Sequence, residues 1–126
     1  MLDARVVQLL NQQINKEVLD NFKDYCIELR YPMNILLEIF MQQYNNGKFD
    51  MTYEEVIKWR EDDSETVTLN TTLNKDIYTK FKSKCEYNGK VQCGKKYAMK
   101  YVITAFMVRI LNGEYALEFV ELKQDN

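Results

Sequence analysis

Nineteen carboxylates, three cysteines and two serines are the side chains of this chain best able to do acid–base or covalent chemistry, and their spacing argues against it. There is no histidine, so the commonest metal ligand and the usual general base near neutral pH are both missing. Ser64 and Ser83 lie outside any nucleophile-elbow context, and the four scattered glycines form no phosphate-cradling loop. Cys26, Cys85 and Cys93 give neither an even disulfide framework nor a CxxC pair, which fits a reducing cytoplasm. Most acids fall on helix faces or in EDDSE (61–65), where a solvated surface or a linker accounts for them. The expectation is a protein that is not an enzyme, with no cofactor and no bound metal.

At 126 residues, 46% hydrophobic and 13% aromatic, the chain suits one compact domain and is too apolar to stay disordered. Its longest apolar run, Tyr101–Met107, is too short to span a bilayer and is soon followed by Arg109. The stretch MLDARVVQLL has no basic n-region and no small-residue cleavage site, so neither secretion nor membrane association is expected.

The elements that would position functional side chains are written twice. INKEVLDNFKDYC (14–26) aligns without gaps on LNKDIYTKFKSKC (73–85), with five identities: Asn15/Asn74, Lys16/Lys75, Phe22/Phe81, Lys23/Lys82 and Cys26/Cys85. Chance would give roughly one. A second block, 33–49 against 99–115, matches Met33/Met99, Phe40/Phe106, Met41/Met107, Asn46/Asn112 and Gly47/Gly113. The copies differ in spacing by a seven-residue insertion around KVQCGKKY (90–97), and two collinear blocks with one insertion indicate a tandem duplication.

Each first block reads as an amphipathic helix. Asn15 and Asn74 are N-caps, Glu17 and Asp76 favour the positive end of the helix dipole, and Val18, Phe22, Cys26 or Ile77, Phe81, Cys85 form one apolar stripe. The matched cysteines are expected in the core. In copy 2 the Asn88-Gly89 pair predicts the end of this helix; in copy 1 the Arg30-Tyr31-Pro32 turn does, with Pro32 in the first turn of the next helix. Each second block is apolar nearly all round and Gly-terminated, so it must be buried against more than its own neighbour. Ahead of the first helices, TVTLNTTL (66–73) alternates as a strand, and QLLNQQI (8–14) follows in register. Val6, Val7, Leu10 and Ile14 also fit a helical period, which leaves a helical bundle without strands as an alternative. The linker 48–65 carries a Thr52-x-x-Glu55 capping box with Val56, Ile57 and Trp59 behind it, and LEFVEL in the tail 114–126 fits a strand or a short helix.

A short strand, a capped amphipathic helix, a turn and a buried helix, twice over, resembles the ribbon-helix-helix family of the MetJ/Arc class. The resemblance covers 8–47 and 67–113, within a second unit of 66–113, and its best local match is LNTTLNKDIY (69–78). It implies a mainly α fold, a tandem pseudo-dimer within a single domain of residues 1–126. In it two short antiparallel strands form one ribbon packed on four helices, with a linker helix besides. It also implies double-stranded DNA as partner, with the ribbon in the major groove. The base-reading residues would be Asn11 and Gln13 of copy 1 and Thr68, Asn70 and Thr72 of copy 2; Leu9, matched to Thr68, departs from a polar reader. Phosphate-binding candidates are Asn34 at the start of one second helix and Lys75, Lys90, Lys95, Lys96 and Lys100 in copy 2. A transcriptional repressor or a plasmid or phage DNA-processing factor, self-associating on adjacent sites, fits that picture.

Charge is divided unevenly. Residues 66–113 hold nine basic residues against two acidic ones, whereas residues 8–47 hold three against five, the linker three against seven and the tail one against four. Copy 2 is thus the half able to replace counterions along a nucleic-acid backbone. The acidic first half supports an alternative, a protein-interaction module that kept the fold without specific DNA binding.

Overall fold

Two nine-residue strands and five helices make up the computed structural model, which describes residues 7–113. In chain order they are β1 (Val7–Asn15), α1 (Lys16–Leu29), α2 (Met33–Asn45), α3 (Tyr53–Arg60), β2 (Thr66–Asn74), α4 (Lys75–Cys93) and α5 (Met99–Leu111). The strand or short helix expected at 114–126 lies outside the described residues.

β1 and β2 pair antiparallel over their whole length, which overturns the strandless bundle. Both strands bury every fourth residue, Leu10 and Ile14 on one and Leu69 and Leu73 on the other, with the same alternation throughout. Asn11 lies opposite Asn70, its own counterpart in the repeat; Leu9 lies opposite Thr72, and Gln13 opposite Thr68. This register relates the strands by a local two-fold through the Asn11–Asn70 pair. A slip of one residue would expose all four buried aliphatics, so burial fixes the register.

Each strand runs straight into a helix, and one asparagine ends the first and caps the second. Asn15 Oδ1 accepts from the Val18 amide and Asn74 Oδ1 from the Ile77 amide, both at 3.0 Å. α3 starts at the expected capping box, in which Thr52 and Glu55 satisfy each other's main-chain amides.

The helices pack across the copies: α1 mainly on α5, and α2 mainly on α4. At the centre Phe40 and Phe106 stack with ring centroids 3.8 Å apart. Phe81 of the second unit meets Phe40 edge-on at 5.6 Å, and Phe22 of the first meets Phe106 at 6.0 Å. The four matched phenylalanines therefore hold the units to each other rather than holding each unit to itself. Phe49, Met51 and Val56 of the linker join the same core, and Glu55 forms a two-pronged ion pair with Arg109 (2.6 and 2.7 Å) that fastens α3 to α5. Among the described residues no helix is long and apolar enough to cross a membrane.

Two boundaries differ from the expectation, the end of α4 and the place of Pro32, while α1 ends at the expected Arg30-Tyr31-Pro32 turn. α4 does not stop at Asn88-Gly89 but continues to Cys93 and ends at Gly94, in the left-handed region at φ 81°. Gly89 sits inside the helix because the returning loop crosses it: a Cβ there would collide with main-chain atoms of Lys95 and Tyr97. In copy 1 the left-handed cap is Arg30 (φ 62°), and Pro32 precedes α2 as its N-cap instead of entering its first turn.

Candidate nucleic-acid interface

The core-facing residues of the ribbon leave eight side chains on the other face, all exposed: Val7, Leu9, Asn11 and Gln13 on β1, and Thr66, Thr68, Asn70 and Thr72 on β2. All five residues expected to read bases lie in this one row. Gln13 is already oriented within it, donating from Nε2 to Thr68 Oγ1 (2.6 Å) and accepting at Oε1 from the Thr66 hydroxyl (3.3 Å). Amides and hydroxyls can both donate and accept, so the row can match a pattern of hydrogen-bonding groups on a partner.

The second helices flank the ribbon at opposite ends. α5 begins beside Gln13, Asn15 and Thr66, where Lys100 and Tyr101 share a cleft with them. α2 begins at the other end, where Glu38 accepts from the Asn74 amide at 2.8 Å. The other three helices have side-chain N-caps, whereas α2 and α5 start at Pro32 and Ala98 with none. Their first amides are thus available to an anion, with the helix dipole behind them.

The phosphate candidates divide between these places. Asn34 and Lys100 are the second residues of α2 and α5, and Lys95 and Lys96 are exposed in the loop leading to α5. Lys75 is exposed at the start of α4, next to the Asn74 end of the ribbon. Lys90 stands apart from Lys75, fifteen residues further along the same helix, or about 22 Å at the usual rise.

Arg60 was not expected here. The last residue of α3, it lines one cleft with Lys100 and the end of the ribbon and a second with Lys95, Lys96 and Ala98. The acid-rich linker sequence conceals it, because its place depends on how α3 docks. The same docking brings negative charge: Asp62 accepts from Asn15 Nδ2 at 3.1 Å, and the Glu65 carbonyl accepts from the Lys16 amide at 2.9 Å. The basic α5 end of the ribbon is therefore bordered by the acidic loop 61–65.

Cys26 and Cys85 are buried core thiols; burial pushes Cys26 up to about 11 and raises Cys85 as well, so neither is a ready nucleophile. Among the described residues no group of histidine, cysteine, aspartate and glutamate could hold a metal ion. The chain matches no protein-family model, no curated protein and no solved structure.

Proposed function

We propose that this is a tandem ribbon-helix-helix protein that binds double-stranded DNA sequence-specifically, with its two-stranded ribbon in the major groove. The observation that carries this reading is the exposed row of amide and hydroxyl side chains, bracketed at both ends by helices with uncapped N-termini. The major groove admits a two-stranded ribbon, asparagine and glutamine can pair bidentately with adenine, and threonine can hydrogen-bond or touch a thymine methyl. Phosphates on either side would meet the α2 and α5 N-termini, with Lys95, Lys96, Lys100 and Arg60 on one side and Lys75 near the other. A repressor, or a cytoplasmic plasmid or phage DNA-processing factor that self-associates on adjacent sites, is the role this supports.

The test is selection of bound fragments from random duplex DNA, followed by titrations at several salt concentrations. An enriched sequence is expected, with Asn70→Ala weakening binding to it by about 1–3 kcal/mol. The triple change of Lys95, Lys96 and Lys100 to Gln should flatten the slope of log K against log salt by about 0.9 for each phosphate left unneutralised. Equal binding to selected and scrambled DNA, unaltered by Asn70→Ala, would sink the reading.

The acidic surface of α1 favours a second reading, since Glu17, Asp20, Asp24 and Glu28 are all exposed. A protein-interaction module that docks a basic partner there would capture that partner in a pull-down unaffected by Asn70→Ala.

A further inference from the structure

The backbone of the ribbon is symmetric and its exposed face is not. On one side of the Asn11–Asn70 axis the outward residues are Gln13, Thr68 and Thr66, three polar groups joined by hydrogen bonds. On the other side the equivalent places hold Leu9, Thr72 and Val7. Leu9 and Val7 are 51% and 53% exposed, two large aliphatic side chains two residues apart at one end of an otherwise polar row. The counterparts of Val7 and Leu9 in the repeat are Thr66 and Thr68, so polar side chains fit these backbone positions and the fold does not demand aliphatic ones.

Resting on the DNA-binding reading, the chemistry of the groove says what such a pair can recognise. Along the major-groove edge of the base pairs the apolar feature is the thymine C5-methyl group; the rest are hydrogen-bond donors and acceptors. An aliphatic side chain placed against a donor or acceptor gains nothing and strips it of water, whereas against a methyl group both apolar surfaces leave water. We infer that Leu9, supported by Val7, determines specificity by seating on thymine methyls in one half of the target, while Gln13 and Thr68 read the other half by hydrogen bonds. The target is therefore a non-palindromic duplex site whose thymine methyl groups are contacted on the Leu9 side only, although the ribbon that reads it has two-fold backbone symmetry.

Replacing thymine by deoxyuridine tests this, because it removes the methyl group and leaves every base-edge hydrogen bond in place. With a site selected by the full chain, uracil in the Leu9 half should weaken wild-type binding about fourfold per contacted methyl, the worth of one buried carbon. Uracil in the Gln13 half should change little. Leu9→Ala should narrow the difference between the thymine and uracil sites, and Leu9→Thr, which places there the residue found at the matching position on β2, should select a more symmetric site. Leu9 is half exposed, so both variants should keep the wild-type melting temperature. A selected sequence symmetric about its centre, or the same uracil penalty in wild type and Leu9→Ala, would overturn the inference while leaving DNA binding intact. Failure to enrich any sequence would overturn the DNA-binding reading and this inference with it; capture of a protein through Leu9 and Val7, with uracil without effect, would reassign the face to that partner.

Discussion

Positions 30 and 89 are counterparts in the repeat, and their residues are the reverse of what local backbone geometry would select. Arg30 occupies a left-handed helix cap, where a side chain is strained and glycine is usual. Gly89 occupies an ordinary helical position, where glycine weakens the helix. The second unit needs its glycine for a different reason: the inserted loop folds back over α4 at that point and leaves no room for a Cβ. Two copies of one sentence have thus been edited to different ends. Copy 1 has a short corner, whereas the first helix of copy 2 is longer by more than a turn, covered by a loop and richer in lysine.

The sharpest way to break the comparison is to remove what the copies share. Phe106→Ala deletes the ring that stacks on Phe40 and receives Phe22, and should cost about 3–5 kcal/mol. Because these packed rings belong to different units, both units should unfold together. Circular dichroism and the fluorescence of the single tryptophan, Trp59, should report coincident transitions at a lower denaturant midpoint.

An ion pair made on one side only comes next. Arg109 holds Glu55 of the linker, while its counterpart Gln43 carries no charge to do the same. Burial raises the Glu55 pKa, but hydrogen bonds from Arg109 and Thr52 outweigh it and hold the carboxyl below its ordinary 4.5. With the folded value depressed, the stabilisation is complete above about pH 4.5, the unfolded value, and disappears as pH falls through the folded one. Glu55→Gln should cost about 1.5–3 kcal/mol at pH 7, and stability curves of wild type and variant should converge in acid.

Smaller effects sharpen the contrast between the two corners. Gly89→Ala should destabilise by about 1–3 kcal/mol, against the usual gain from replacing a helical glycine. Arg30→Gly should instead stabilise by about 0.5–1 kcal/mol, the left-handed strain relieved less the added freedom of the unfolded chain. Thermal melts of the two variants should move in opposite directions.

The legible parts of this fold are those governed by neighbours in sequence. Asn15 and Asn74 announce their helices by side-chain chemistry that acts over three residues. The alternation of TVTLNTTL states which face is buried, and the repeat says that QLLNQQI must do the same despite its helical period. The exposed row follows from those two facts, so the five residues expected to read bases can be found from sequence. Gly89 and Arg60 mislead or escape a linear reading because their roles depend on segments that return from elsewhere. An Asn-Gly pair looks like a stop until a loop is found lying on the glycine, and an arginine in an acidic linker gives no sign that it stands beside Lys95 and Lys100 until the docking of its helix is known.

The linker that joins the units has a consequence for dosage and for divergence. Two separate chains holding each other through Phe40 and Phe106 would come apart on dilution, their stability tied to concentration. One chain meets its other half at a fixed local concentration, however few copies a cell makes. It is also released from a rule that binds every homodimer, that a substitution appears on both sides of the axis at once. Here Leu9 can change while Thr68 stays, and lysines can gather on α4 without gathering on α1.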